Sequence, residues 1–204
     1  MIAVAVEERR VVLDTDFIGG ITSYEAGDGA GLFCRVFRTL DKCPVIHPYV
    51  AEYELSSNAI AQSLISSGEL IVIPYADFLP SDGFKQILYR KTFQDLHTII
   101  REAHIPRRGC PEMLPLGLKD DIFGRQAGRS FGEIHSILMA VELGIPLFYS
   151  NDTGAKTAVN RYHTGRLIVQ NAEEVSELLK EADQSQVTGA ERRFIRHFYT
   201  RNRH

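Results

Sequence analysis

Short apolar runs alternate along this chain with longer stretches in which apolar residues recur every three or four positions. The first pattern predicts buried strands and the second predicts helices. The predicted strands are Val11–Phe17, Cys43–Tyr49, Pro146–Tyr149 and Leu167–Gln170, and a further compact apolar run covers Leu70–Tyr75. The predicted helices cover residues 32–40, 50–65, 84–103, 130–143, 172–182 and 191–199. Because strands that alternate with helices build a covered parallel sheet, we expect a three-layer α/β/α fold with a mainly parallel central sheet.

Composition narrows the class of protein without naming its function. The chain has 204 residues, 44% of them hydrophobic and 24% charged, which is ordinary for one globular domain. No apolar run approaches the roughly 20 residues of a membrane span, and the acids and arginines of MIAVAVEERR come too early for a secretory signal. Three cysteines without a C-x-x-C pair favour a reducing, cytoplasmic setting over structural zinc. With a net charge of −3, nucleic-acid binding would need a local basic patch.

Four acidic residues fall where an α/β fold would bring them together. Asp14 closes the apolar run VVLD and Asp152 follows LFYSN, whereas Glu54 and Glu133 lie near the starts of predicted helices. The carboxyl ends of parallel strands form a crevice, and carboxylates crowded there repel one another unless a hard divalent cation neutralises them. The pattern therefore predicts a Mg²⁺ or Mn²⁺ site, and with it metal-assisted attack on phosphate.

Each acid also has a structural interpretation. Asp14 could cap a helix, although the apolar FIGGI after it is a poor cap context, and Asp152 or its neighbour could cap the next helix. Glu133 lies three residues after Ser130, the spacing of a capping box. Glu52 and Glu54 are two apart on one predicted helix and cannot point the same way, so a solvated face is the default for either.

The first two acids lie in motifs that resemble those of the PIN-domain nucleases. In that family the first strand reads apolar-apolar-Asp-Thr-polar, and VVLDTD supplies Asp14 with Asp16 at the polar position. The next acid precedes a leucine in a helix after the second strand, as Glu54 does in EYEL. A shift of register by half a turn would replace it with Glu52.

The last two acids continue the resemblance. Glu133 opens a helix seven residues before Ala140, which is followed by a Glu-Leu-Gly turn, and the final strand ends in Ser150-Asn151-Asp152. The stretch GEIHSILMAVELGIPLFYSNDTGAK is the most specific match, and it is similar to a branch in which the third acid follows glycine. The resemblance covers about 100 residues at both ends of the domain and leaves the middle unmatched.

The resemblance implies one PIN-like domain over residues 1–204, with an enlarged middle segment of about 77–129 and extra C-terminal helices of about 172–204. It implies a Mg²⁺- or Mn²⁺-dependent ribonuclease that favours single-stranded or loop RNA. Its catalytic acids would be Asp14, Glu54, Glu133 and Asp152. Asp14, Glu133 and Asp152 would hold the metal, while Asp16 and Ser150 would orient ligands or water. It is also compatible with a toxin-type protein that has an antitoxin-like partner, and with pairing of the chain with itself. The lack of a long apolar run predicts no membrane partner.

Basic residues and histidines complete the sequence-based picture. The arginines nearest the proposed site in sequence are candidate phosphate contacts: Arg107, Arg108, Arg125 and Arg129. An arginine-rich C-terminus, GAERRFIRHFYTRNRH, carries an apolar stripe for which packing is the better interpretation. The histidines His47, His97, His104 and His135 have no soft-metal spacing and are expected at the surface or in the core. Asp120 and Asp121 read as solvated loop acids.

Two other functions fit parts of the same sequence. A phosphatase of the haloacid-dehalogenase type would use Asp14 as a covalent nucleophile and Asp16 as acid and base. Ile18 and SNDTGAK fit that family poorly. A non-catalytic PIN-like module would bind RNA or protein without cutting, although buried charge without a use is expensive.

Overall fold

Five short strands form one central sheet, in which every strand is parallel to its neighbours. The computed structural model describes residues 9–22, 29–79, 81–103, 113–117, 122, 128–162, 165–182 and 189. The strands are β1 (Arg10–Leu13), β2 (Cys43–Ile46), β3 (Ile71–Val72), β4 (Leu147–Tyr149) and β5 (Ile168–Gln170). Their spatial order is β3-β2-β1-β4-β5, so β1 and β4 are adjacent at the centre. The predicted α/β fold with a parallel sheet is confirmed.

Helices cover both faces of this sheet. They are α1 (Thr15–Thr22), α2 (Gly29–Thr39), α3 (Ala59–Ser66), α4 (Tyr75–Phe78), α5 (Gly83–Ala103), α6 (Phe131–Glu142), α7 (Thr153–Tyr162) and α8 (Ala172–Glu181), with a π-helical turn at Val50–Glu54. Alternate strand residues face opposite layers, so Val12 and Phe148 join the core under α5, α6 and α7, whereas Leu13 and Tyr149 join the core under α1, α2 and α8. The result is the expected three-layer α/β/α arrangement.

The structure corrects several predicted boundaries, among them the end of β2, which lies at Ile46 rather than Tyr49. β1 ends at Leu13 rather than Phe17, because α1 begins at Thr15 and buries Phe17 from a helix. The helix predicted over residues 50–65 is broken: the π-helical turn ends at Glu54, and Asn58 caps α3 by accepting a hydrogen bond from the Ala61 N–H at 3.0 Å. In the run Leu70–Tyr75 only two residues pair as β3, and Tyr75 already starts α4.

Some predicted features lie outside the described residues: the helix over 191–199, the C-terminal arginines, His104, Asp120, Asp121, Arg107, Arg108 and Arg125. Of the remaining histidines, His47, His97 and His135 are buried, so the core interpretation is confirmed for them. Within the described ranges, no helix combines the length and apolar character that crossing a membrane requires.

Candidate metal centre

The centre of the sheet creates a crevice at the carboxyl ends of β1 and β4. After β1 the chain turns into α1, which packs in one core, and after β4 it turns into α7, which packs in the opposite core. Because the two connections leave in opposite directions, the strand ends lie between them at the position where open α/β sheets bind ligands. The side chains of Asp14 and Ser150 are nevertheless largely buried there. Asp14 directly follows β1, and Ser150 and Asp152 follow β4.

Asp14 is buried at this point, with only 7% of its surface exposed. The Thr15 N–H donates to Asp14 Oδ1 at 2.8 Å, and the Ser150 hydroxyl donates to Oδ2 at 2.8 Å. The pKa of Asp14 is raised to about 8, first by burial and then by the charges of Asp16, Glu54 and Asp152, against the lowering effect of the Ser150 hydrogen bond. Asp14 therefore loses its proton less readily than an ordinary aspartate, because burial and the neighbouring acids both disfavour its charged form.

Glu133 faces the same acids from the first turn of α6. Its side chain is 5% exposed, and its Oε1 atom has no hydrogen-bond partner among the described residues. Burial raises the pKa of Glu133 well above its usual range, and the charges of Asp152, Asp14 and Asp16 raise it further. A buried carboxylate oxygen without a partner is costly unless something else neutralises it.

Glu54 is held in place through both of its carboxylate oxygens. The Thr15 hydroxyl donates to Oε2, and the Gly132 N–H at the start of α6 donates to Oε1 at 3.1 Å. A Cβ at position 132 would lie 2.4 Å from both Glu54 oxygens, so only glycine leaves room for this carboxylate. Burial raises the pKa of Glu54, whereas its two hydrogen bonds lower it and the charge of Asp16 raises it.

Glu54 rather than Glu52 lies among the acids, and the π-helical turn explains why. The Leu55 N–H donates to the Val50 carbonyl at 2.9 Å, five residues back, which rotates the end of the turn relative to an α-helix. Glu52 is exposed and lies near Tyr75, whose pKa is raised to about 12 by burial and then by the charge of Glu52. The choice that the sequence left open is thus resolved in position, in favour of Glu54.

Asp152 and Asp16 complete the cluster from its more open side. The Gly154 N–H donates to Asp152 Oδ1 at 2.6 Å, and the Asp152 N–H donates to Ser150 Oγ at 3.1 Å. Asp16 lies in the first turn of α1 with an exposed side chain. Partial desolvation at the rim of the crevice raises the pKa of Asp16, and the charge of Asp152 raises it further. Ser150 therefore links the acids after β1 and β4, and its predicted role of orienting a metal ligand stays a prediction.

The capping interpretation holds for Asp152, which precedes α7 and accepts from the N–H of its second residue, Gly154. Asp14 precedes α1, but its side chain accepts from the first helical residue, Thr15, and from Ser150 rather than from the N–H groups that a capping side chain binds. Ser130 has a positive φ of 62° and its side chain makes no capping hydrogen bond, so the predicted capping box with Glu133 does not form. The Ser130 hydroxyl instead lowers the pKa of Glu133, in opposition to burial.

Three helix N-termini point their first turns at the acid cluster. Asp14 precedes α1, Asp152 precedes α7, and Glu133 lies in the first turn of α6. Backbone N–H groups of these first turns donate to Asp14, Glu54 and Asp152, and the helix dipoles favour negative charge. Both effects offset part of the repulsion among the carboxylates. The same feature would favour a phosphate group beside a bound cation.

The acids have the ligand chemistry that a hard divalent cation requires, but their side chains are not arranged in a coordination geometry. Across the described ranges, no three aspartate, glutamate, histidine or cysteine side chains are already arranged as a group that could hold a metal ion. The donors gathered here are nevertheless all carboxylates, the ligands that Mg²⁺ and Mn²⁺ prefer. The unpaired Oε1 of Glu133 and the raised pKa of Asp14 and Glu133 are what a cation would relieve.

Sequence reasoning missed the two groups that hold Glu54. Thr15 was counted only as part of an Asp-Thr motif, and Gly132 only as the residue before an acid. A glycine at the second position of a helix was the available signal, because it indicates close approach of another group. Of the four predicted phosphate contacts, Arg129 is described; it is exposed and lies just before α6.

Comparisons with known proteins do not identify a relative. No family model, no curated protein and no solved structure matches this chain. The fold class and the geometry of the acid cluster consequently rest on the structure alone, and the PIN-type assignment stays a prediction.

Proposed function

We propose that this protein is a Mg²⁺- or Mn²⁺-dependent nuclease of the PIN type that hydrolyses phosphodiester bonds, with RNA as its substrate. The observation that carries this proposal is the convergence of Asp14, Glu133 and Asp152, joined by Glu54, at the central crevice of the sheet. These residues come from four separate parts of the sequence. The charges of Glu54 and Asp152 raise the pKa of Asp14, and those of Asp152 and Asp14 raise the pKa of Glu133, a repulsion that is expensive unless a cation is bound. RNA as the substrate and an antitoxin-like partner rest on the sequence resemblance, and a cytoplasmic setting rests on the cysteine pattern.

The residues divide the work by their contacts. Asp14, Glu133 and Asp152 would hold the cation, which supplies a bound water of lowered pKa when present. Ser150 fixes Asp14 through its hydroxyl, and Thr15 with Gly132 fixes Glu54 beside it. Asp16 stands at the rim, where it would orient an incoming water, and Arg129 would contact a substrate phosphate.

Metal binding and RNA cleavage, measured on the same preparations, test this function. We expect Mn²⁺ to bind wild-type protein in calorimetric titration and to support cleavage of a single-stranded RNA. Asp14→Asn and Asp152→Asn should each lower cleavage by at least about a hundredfold while circular dichroism stays unchanged. Glu52→Gln is the matched control and should leave both measurements intact, because Glu52 lies outside the cluster.

Two outcomes of this experiment would favour the other functions. RNA affinity without hydrolysis in Mn²⁺ would favour a non-catalytic binding module. Recovery of Asp14 carrying a phosphoryl group after incubation with a phosphomonoester would favour the phosphatase, in which Asp14 is the nucleophile. A protein that folds but shows no carboxylate-dependent Mn²⁺ binding would refute the metal centre itself.

A further inference from the structure

A cavity of about 500 Å³ lies between α5, α6 and α7, beside the amino ends of β4 and β5. Its wall is aliphatic and is formed by Leu96, Leu138, Ala140, Val141, Ile145 and Leu167. Ile145 leads into β4 and Leu167 leads into β5, whereas the acid cluster follows the carboxyl ends of β1 and β4. Because these strands are parallel, the cavity and the acid cluster lie at opposite edges of the sheet.

The size and lining of this aliphatic cavity are those of a small-molecule site. Protein interiors are packed as densely as organic crystals, and few of their voids exceed the size of a water molecule. Small-molecule sites, in contrast, occupy about 300–1,000 Å³ and have mainly apolar walls. Five of the six wall residues are buried, and Val141 is 41% exposed where the cavity reaches the surface. Such a wall offers water few hydrogen bonds and therefore favours an apolar guest.

Polar side chains at the cavity indicate what kind of head group the guest carries. The Tyr162 hydroxyl donates to Thr92 Oγ1 at 3.2 Å, so these two lining groups largely satisfy each other. Arg166 also lines the cavity and is exposed, and no acid of the described ranges forms an ion pair with it. Arg161, at the end of α7, instead pairs with Glu102 at 3.8 Å. The Arg166 guanidinium is thus available to an anion, and its planar fork matches a carboxylate.

We propose that the aliphatic cavity binds a small amphiphilic carboxylate, with its alkyl chain against the wall and its carboxylate paired with Arg166. Because Arg166 is exposed, the charged head stays in contact with water and its desolvation cost is small. The wall presents branched aliphatic groups, which a flexible alkyl chain can contact along its length. This site is independent of the proposed nuclease function, because none of its residues belongs to the acid cluster.

Calorimetric titration with alkyl carboxylates tests the apolar part of the site. Octanoate should bind wild-type protein with a dissociation constant on the order of 100 μM, which is within the limit for a ligand of about ten non-hydrogen atoms. Affinity should rise roughly fourfold with each methylene from hexanoate to octanoate, because each added group is removed from water. Longer chains should stop gaining affinity at the length that fills the cavity.

Comparison of octanoate with 1-octanol tests the head group. Wild-type protein should prefer octanoate by about three- to tenfold, because only the carboxylate pairs with Arg166. Arg166→Gln should remove this preference. Arg161→Gln is the matched control: it deletes the same charge from the same part of the chain but outside the cavity lining, so it should keep the preference. A preference for octanoate that persists in Arg166→Gln, or equal affinity of wild type for both ligands, would overturn the assignment of the carboxylate.

Blocking the mouth of the cavity tests its location. Val141→Trp places a large ring at the exposed rim and should weaken octanoate and octanol alike by at least about tenfold, with circular dichroism unchanged. Ile168→Trp is the matched control, since Ile168 is 55% exposed and does not line the cavity. No saturable binding of these carboxylates at about 10 mM, roughly a hundred times the expected constant, would overturn the site. Equal octanoate affinity in folded Val141→Trp and wild type would also overturn it, because the ligand would then be bound elsewhere.

Discussion

At the scale of single residues, opposing effects set the protonation state of Asp14. Burial favours its neutral form, neighbouring acids favour it further, and the Ser150 hydroxyl favours the charged form. A divalent cation would tip this balance to the carboxylate, because it replaces repulsion with attraction. Asp14 thus couples the stability of the domain to the pH, and under the proposed function it would couple that stability to the metal as well.

The first prediction concerns the stability of Asp14→Asn without metal. The carboxyl has a pKa of 3.8 in the reference state and about 8 in the fold, so the unfolded chain loses its proton first. The free energy of unfolding of wild type should therefore fall as the pH rises from about 4 to about 8. Asp14→Asn should show a smaller fall, since Glu133 keeps its raised pKa, and near pH 8 it should be more stable than wild type by roughly 2–5 kcal/mol.

Urea denaturation in a chelator, followed by circular dichroism at several pH values, measures this difference. Adding Mn²⁺ should raise the stability of wild type and leave Asp14→Asn nearly unchanged, since the variant lacks a ligand. Asp41→Asn is a suitable control, because Asp41 pairs with Arg9 at an exposed site away from the crevice. If wild type and Asp14→Asn have parallel pH profiles, the carboxyl at position 14 is not destabilised by burial.

The same residues show what a single sequence can predict about a site. Asp14 and Asp152 follow recognisable apolar strands, so their convergence could be inferred from the topology of parallel sheets. The anchors of Glu54 could not, because the hydrogen bond from Gly132 joins residues 78 positions apart and depends on how α6 packs. Side-chain identity predicts chemistry, whereas a supporting contact between distant segments is a property of packing.

At the scale of elements, the start of α6 determines where two of the acids lie. Gly132 donates to Glu54 and leaves space for it, and the next residue, Glu133, faces Asp14 and Asp152. Ser130, in the left-handed region, turns the chain into the helix at that point. A sequence pattern for a capping box predicted the helix correctly but not this geometry, because the pattern does not fix the φ of its first residue.

The second prediction is that Gly132→Ala separates activity from stability. The added Cβ would displace the end of the Glu54 side chain, which can rotate away, so the fold should survive within about 1 kcal/mol. Loss of the Glu54 hydrogen bonds should weaken Mn²⁺ affinity or RNA cleavage by about 10–100-fold, the usual effect of losing a group that orients a metal ligand.

Gly19→Ala provides the control for the general effect of alanine in a helix. A Cβ at Gly19, within α1, would meet no atom closer than 4 Å, so this variant should gain up to about 1 kcal/mol and keep its activity. Equal activity of Gly132→Ala and wild type would show that the position of Glu54 does not matter for the reaction. Thermal denaturation and calorimetric metal titration of both variants provide the measurements.

The elements themselves were predicted to different degrees, for physical reasons. α5 and α6 are long enough for their apolar periodicity to be clear, and both were predicted within a residue or two. The π-helical turn between β2 and α3 was predicted as plain helix, because its extra residue per turn leaves no mark in a five-residue pattern. That turn happens to decide between Glu52 and Glu54.

At the scale of the whole molecule, a second group of buried ionisable residues changes the stability of the fold with pH in the direction opposite to the acids. His47 follows β2 and His135 lies in α6, and their rings stack with centroids 4.7 Å apart inside an aromatic cluster. Burial lowers the pKa of His47 to about 2 and that of His135 to about 3, and each would repel the other's charge. The core beside the acid crevice thus requires both rings to be neutral.

The last prediction is that protonation of the buried histidines destabilises the fold at low pH, and that in wild type Asp14 and Glu133 partly compensate for this loss. The unfolded histidines take up protons near pH 6.5, whereas the folded ones resist until about pH 3, so stability due to them is lost as the pH falls below 6.5. Over the same range protonation of Asp14 and Glu133 stabilises the fold, which cancels part of the loss caused by the histidines.

In the double variant Asp14→Asn, Glu133→Gln the free energy of unfolding should therefore fall by roughly 2–4 kcal/mol between pH 6.5 and 4.5. Adding His47→Gln should remove about half of that loss, since glutamine can still accept the Tyr49 N–H that His47 Nδ1 accepts at 2.9 Å. Urea denaturation at each pH measures the slopes, and an unchanged slope in the triple variant would show that the histidine pair does not govern stability in acid.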